Sequence, residues 1–184
     1  MMKRLLSKLI FKLNGWSIVG SCAYPEKCLV IAAPHTSNWD FLIGRCYAYI
    51  VEVNPKYLVK SELFLPVLAT LLKWNGGIPV YRKAKNNLVE QAVDMFKNAT
   101  QFQLGIAPEG TRAKVVKWKT GFYHIASGAK VPLLLFALDY KKKEVGVIAE
   151  FITTGDVEKD MLFIQQQYAN VVAKIPENYN PKIY

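Results

Sequence analysis

Histidine, cysteine, acidic residues and long apolar runs are all scarce in this chain of 184 residues. The three cysteines, Cys22, Cys28 and Cys46, are odd in number and show neither CxxC spacing nor a matching pair of histidines. They suggest neither a disulfide framework nor a zinc site, and they point to a reducing compartment. No window reaches the roughly 18 to 20 uninterrupted apolar residues of a membrane-spanning helix, and the longest run, "LFLPVLATLL", carries Pro66. The opening "MMKRLLSKLIFKLNGW" has the basic start of a secretory signal. Lys8 and Lys12 interrupt its apolar run, however, and no small-residue cleavage site follows, so export by that route is not expected. Asp and Glu are outnumbered 14 to 24 by Lys and Arg, giving a net charge of +10. The favoured partners are therefore anionic: phosphorylated small molecules, acidic lipid surfaces, acidic proteins or nucleic acid.

What is present is apolar and periodic. With 52% hydrophobic residues and no repeat, low-complexity segment or long linker, the chain can build one compact domain with a substantial core. On a helical period, Arg4, Lys8 and Lys12 form one stripe and Leu5, Leu6, Leu9, Ile10 and Leu13 another. Residues 2–13 are therefore expected to form a basic amphipathic helix ending near Asn14 and Gly15. Such a helix either lies on an anionic membrane surface or packs its apolar face on the domain. We accordingly divide the chain into a helix over 1–14 and a single domain over 15–184. In the domain, strands are expected at "WSIV", "CLVIAA", "KYLVK", "GIPVY", "QLGIA", "VPLLLFAL" and "EVGVIAEF". They alternate with helices over 39–51, 62–74, 86–99, 120–128 and 157–173, and an irregular tail begins at Ile175. Apolar strands alternating with helices indicate an α/β fold, a single layered domain whose mostly buried mixed sheet is flanked by helices.

Four stretches could carry chemistry. In "APHTSNWD", residues 33–40, a strand fit for a sheet centre ends at Pro34, and Ser37 with Asp40 three positions later resembles a helix start. His35 then sits at a strand's carboxyl end, where α/β folds place ligand crevices, with Asp40 near enough to accept its imidazole proton. A histidine so held can take a proton from a hydroxyl while the carboxylate fixes its tautomer. A capping aspartate would explain the same spacing. In "GGIPVYR", Arg82 ends an extended segment and is equally readable as a surface cation. "APEGTR", residues 107–112, turns sharply after a strand and presents Arg112, whose planar fork suits a phosphate; the alternative is a plain polar turn. "VPLLLFAL" is explicable as a core strand.

The four together, HTSNWD, GIPVYR, PEGTR and VPLLLFAL in that order over about residues 30–138, resemble the sequence blocks of the glycerol-3-phosphate and 1-acyl-glycerol-3-phosphate (lysophosphatidate) acyltransferase family. The resemblance implies transfer of a fatty acyl group from a thioester, on acyl carrier protein or coenzyme A, to a hydroxyl of a glycerol phosphate or lysophospholipid. It makes His35 the general base and Asp40 its partner, and assigns Arg82, Glu109, Gly110, Thr111 and Arg112 to the acceptor. Val131 and Pro132 open the block associated with the acyl side. No cofactor or metal is required beyond acyl-CoA or acyl-ACP as co-substrate, because a thioester is already activated. The implied partners are the donor, the acceptor and an anionic membrane surface, with peripheral attachment at the cytoplasmic face. Two positions depart from the family pattern: Ala107, where Phe is common, and Tyr81, where an acidic residue usually precedes the arginine. Tyr81 keeps a non-phosphate acceptor, such as a lyso-aminolipid, open; a lipid-binding protein of the same fold without catalysis is the alternative from another class, and the intact His35, Asp40, Glu109 and Arg112 argue against it.

Other residues attract less. His124 lies in an apolar helix with no carboxylate at a suggestive spacing, Lys141, Lys142 and Lys143 read as a solvated turn, and "AKVVKWKTG" belongs to no nucleic-acid-binding module. Nucleic acid is not an expected partner.

Overall fold

The computed structural model describes residues 2–20, 23–80 and 88–184. Among them run strands β1 (Ser17–Gly20), β2 (Lys27–Ala33), β3 (Lys56–Lys60), β4 (Gly77–Val80), β5 (Phe102–Ile106), β6 (Leu133–Asp139) and β7 (Glu144–Phe151). They form one sheet in the order β1-β7-β6-β2-β5-β3-β4. The β6–β7 pair is antiparallel and the other neighbours are parallel. The helices are α1 (Met2–Asn14), α2 (Asn38–Val51), α3 (Pro66–Trp74), α4 (Leu88–Asn98), α5 (Gly121–Ala129) and α6 (Val157–Tyr168). This is the expected α/β fold with a mixed sheet between helices.

The period of two along the central strands sorts side chains to two faces. Leu29, Ile31 and Ala33 of β2, with Leu133, Leu135 and Ala137 of β6, pack on Phe96 of α4, Phe122 and Ile125 of α5, and Met161 and Ile164 of α6. Cys28 and Val30, with Leu134, Phe136 and Leu138, face the other way onto Ile43, Cys46 and Tyr47 of α2 and onto Phe11 and Trp16. Both faces of the sheet are covered, as its largely parallel pairing requires.

The packing of α1 on the domain is carried by the face that holds Phe11. Ser7 and Phe11 are buried, while Met2, Leu5, Leu6, Leu9 and Leu13 stand exposed. Among the described residues no helix is long and apolar enough to cross a membrane.

Two helices differ from their expected bounds by more than two residues, and positions 86 and 87 of the helix expected over 86–99 lie outside the described residues. The helix expected over 62–74 opens as a single 3-10 turn, Ser61–Leu63, and α3 proper begins at Pro66, which favours the first helical position. The last helix, expected to reach 173, ends at Tyr168. There the Tyr168 hydroxyl donates to the carbonyl of Ile31 at 2.8 Å, the chain turns, and Val172 accepts from the amide of Tyr140 at 2.8 Å as Ala173 enters the core. A continued helix would forgo those contacts.

Candidate active site

Three neighbouring strands bring the site together. β2 is flanked by β5 and β6, all parallel, with Ile31 level with Ile106 and Ala33 level with Ala137. Their carboxyl ends therefore open on one side, the position where open α/β sheets hold ligands. His35 follows β2, the PEGTR turn follows β5, and Tyr140 follows β6.

The segment between β2 and α2 folds on itself at the helix start. The Ala33–Pro34 peptide is cis. Ser37 is the N-cap, its hydroxyl accepting from the amide of Trp39 at 3.2 Å, and Asp40 Oδ2 accepts from the amides of Thr36 and Ser37, each at 2.7 Å. This is a capping box with Asp in the acidic position. The same oxygen lies 3.3 Å from Nδ1 of His35, so the cap and the imidazole share one carboxylate. Asp40 Oδ1 accepts from the hydroxyl of Tyr140 at 2.7 Å. Asp40 is 4% exposed. Burial acts to raise its pKa, but the hydrogen bonds from His35, Tyr140, Ser37 and Thr36 outweigh it and hold the carboxyl below its ordinary value. The His35 side chain keeps 27% of its surface open, and with Nδ1 turned to Asp40, Nε2 is the nitrogen left for a substrate.

The PEGTR turn approaches from β5. Gly110 has φ 66°, a left-handed conformation that favours glycine, and its amide closes the turn on the carbonyl of Ala107 at 3.1 Å. Glu109 points inward. Its Oε1 accepts from the backbone amide of His35 at 2.9 Å, and the residue is 4% exposed. Burial pushes its carboxyl up to about 7, against the opposing hydrogen bonds from its own backbone and from His35. Arg112 lies at the surface, with Nη1 bonded to Oδ1 of Asn38 at the start of α2.

Between α2 and the sheet lies a cavity of about 770 Å³, with His35 and Asp40 in its wall. Its interior is mostly apolar, including Val30, Ala32, Leu58, Phe136 and Leu138, while Lys60 and Arg112 stand where β3 and the PEGTR turn emerge. Gly110 and Thr111 also line it, and Glu109 does not. Val131 and Pro132 are not brought to the cavity. They precede β6, and Pro132 accepts from the amide of Leu29, which places them at the opposite end of the strands from His35. The residues of that block that reach the cavity are Phe136 and Leu138. Arg82 and Tyr81 lie outside the described residues. His124 is exposed on α5, edge-on to Tyr123, and takes no part in the site.

Sequence reasoning missed Lys60 and Tyr140. Each stands at or just beyond a strand's carboxyl end, "KYLVK" and "FALDY", which is the signal that found His35. It also missed Gly44, a helix-interior glycine in the cavity wall where a Cβ would find no atom nearer than 4.0 Å, on Phe136. Among the described residues no group of three or more His, Cys, Asp or Glu side chains is placed to hold a metal ion.

A buried carboxylate, a histidine with one nitrogen oriented and the other open, and an apolar cavity rimmed by cations can deprotonate a hydroxyl beside a long apolar chain and an anionic group. Comparison with known proteins agrees with that chemistry. The sequence pattern of the acyltransferase family matches residues 18–138, well over half of the chain. Among solved structures, the fold is similar to that of the 1-acyl-sn-glycerophosphate (LPA) acyltransferase PlsC from Thermotoga maritima. The TM-score is 0.61 at 17% identity, over 94% of this chain and 80% of that one. No curated protein matches the sequence significantly.

Proposed function

Since the chain belongs to the acyltransferase family, we propose that it moves a fatty acyl group from a thioester, on acyl carrier protein or coenzyme A, to a hydroxyl of a glycerol phosphate or lysophospholipid. The carrying observation is the pairing of His35 with Asp40 in the wall of the apolar cavity. In this reading Nε2 of His35 takes the proton of the acceptor hydroxyl, and the freed oxygen attacks the thioester carbonyl. Asp40 holds the tautomer through Nδ1 and offsets the imidazolium charge. Collapse of the tetrahedral intermediate breaks the C–S bond, and the imidazolium returns its proton to the leaving sulfur. The new ester then carries the acyl group and the donor leaves as a free thiol.

The acyl chain occupies the apolar cavity, where Gly44 and Ala107 leave room. Lys60 and Arg112 take the acceptor's phosphate, Arg112 through a planar fork that a lysine cannot copy. A lysophospholipid acceptor comes from an anionic membrane at its cytoplasmic face, on which the exposed leucines and lysines of α1 rest.

The test is acyl transfer from radiolabelled acyl-CoA and acyl-ACP to glycerol phosphate, lysophosphatidate and a lyso-aminolipid on vesicles. Transfer to the phosphate acceptors, with Arg112→Lys raising their KM roughly tenfold and the donor KM little, supports the proposal. Transfer to the lyso-aminolipid alone would change the acceptor, and no transfer to any would leave a lipid-binding protein.

A further inference from the structure

Asp40 is held by two different devices. Oδ2 receives the amides of Thr36 and Ser37 and the Nδ1 of His35, all from its own segment. Oδ1 receives the hydroxyl of Tyr140, 100 residues away, at 2.7 Å. A capping box needs only the local donors, so the Tyr140 bond is not explained by starting a helix.

Tyr140 is itself fixed on three sides. Its amide donates to the carbonyl of Val172 at 2.8 Å, its ring meets Trp16 edge-on with centroids 5.0 Å apart, and the ammonium of Lys174 lies 5.3 Å from its ring centroid. An ionised carboxylate only accepts, so the phenol is the donor. Burial, and then the neighbouring carboxylate, push its ionisation above the ordinary value, which keeps the proton on the phenol throughout the working range.

We infer that Tyr140 is a positioning residue for the general base, its hydroxyl fixing the Asp40 carboxylate and drawing off part of the negative charge that His35 would otherwise meet. The inference rests on the reading of His35 and Asp40 given above. In a buried site, each hydrogen bond to a carboxylate competes with the others for its charge. With Oδ1 occupied, the carboxylate orients the imidazole while part of its charge is engaged by the phenol. Without the hydroxyl, Oδ1 is left buried and unpaired, and the carboxylate turns its full charge on the ring. The other titratable or charged groups near the pair include Glu109 and Arg112 of the turn after β5, Lys60 at the end of β3 and Arg45 of α2 in the same cavity wall, Lys174 in the carboxyl-terminal segment, Asp139 at the end of β6 and Lys143 in the turn after it. Lys143 sits over the Trp16 ring. All are unchanged in Tyr140→Phe, so a shift in that variant belongs to the phenol.

The experiment has two arms. The first follows the His35 imidazole by NMR titration in a His124→Ala background, where one histidine remains, with and without Tyr140→Phe and with no substrate present. The midpoint is expected to move to higher pH when the hydroxyl is removed. The second measures transfer from palmitoyl-CoA to lysophosphatidate on vesicles. Here kcat should fall roughly tenfold at neutral pH, about the worth of one charge-assisted hydrogen bond, with acceptor KM within about twofold and the acid limb of kcat/KM moved upward. The position of the limb does not depend on how much protein is folded, so a loss of stability in Tyr140→Phe leaves it readable. An unmoved imidazole midpoint overturns the inference even if the wild type is active. A moved midpoint in a wild type that transfers no acyl group upholds the Tyr140 linkage and overturns the proposed reaction instead.

Discussion

The backbone amide of His35 donates a 2.9 Å hydrogen bond to the Glu109 carboxyl, 74 residues further along the chain. The bond ties the end of β2 to the turn after the neighbouring β5, and so sets the height of His35 over the cavity. Its acceptor is buried, and Oε2 of the same carboxyl has no hydrogen-bond partner among the described residues.

That burial has a pH signature. The folded-state pKa of Glu109 is raised from its ordinary 4.5 to about 7, so between those values the folded chain binds more protons than the unfolded one. Stability should therefore fall as pH rises through this window, by on the order of 2–3 kcal/mol. Glu109→Gln keeps an acceptor for the His35 amide and removes the titration. Urea denaturation of both proteins from about pH 4.5 to 8 should show a decline in the wild type that the variant lacks. Parallel profiles would place the titration elsewhere.

His35→Ala should lower kcat by about 10²- to 10⁴-fold with modest changes in substrate KM, the usual share of a general base. Asp40→Asn should also slow turnover strongly, and the double variant should be little worse than the poorer single one, as for groups acting as a unit. His124→Ala is the internal control: the residue is exposed on α5, and its rate should stay near normal. Steady-state kinetics on the four proteins decide it, and a dead His124→Ala beside an active His35→Ala would reverse the assignment.

Gly44 lies one helical turn beyond Asp40 in the cavity wall, where a Cβ would come only into ordinary contact with Phe136, at 4.0 Å. Gly44→Leu should reduce transfer of long acyl chains roughly ten- to a hundredfold while sparing short ones, because a few methylenes of lost room are discriminated on that scale. The substituted helix should be at least as stable, since an interior glycine is the poorer helix former. Competition among acyl donors of graded length reads the change. Equal loss at all lengths would mean that the chain does not pass Gly44.

Deleting α1 outright would uncover the core at Phe11, so membrane attachment is better tested on its outer face. Leu5→Ser with Leu9→Ser should weaken sedimentation with anionic vesicles by on the order of tenfold per leucine, without lowering the melting temperature. Unaltered sedimentation would leave that stripe without a membrane role.

Much of the fold was legible in the chain because it is written locally. Alternating apolar residues read as strands and 3.6-residue periodicity as helices wherever one face is buried, and the observed bounds of α1, α2 and β7 follow those patterns closely. Pro66 and the end of α6 escaped this reading for opposite reasons. The proline is a local helix-start signal, whereas α6 ends where the following segment pairs with a distant one, Val172 accepting from the amide of Tyr140 after β6.

The chemistry of the site divides along the same line. His35 and Asp40 are five residues apart, so chain geometry alone could bring them together, and the sequence by itself determined that pairing and the sharp turn at Gly110. Strand order is non-local, and it alone decided what surrounds them. With β2 between β5 and β6, Glu109 turns inward to the His35 amide and Tyr140 reaches Asp40, while Val131 and Pro132 fall at the far end of the strands. Neighbouring parallel strands share an end whatever their separation along the chain, and no short-range pattern records which strands are neighbours.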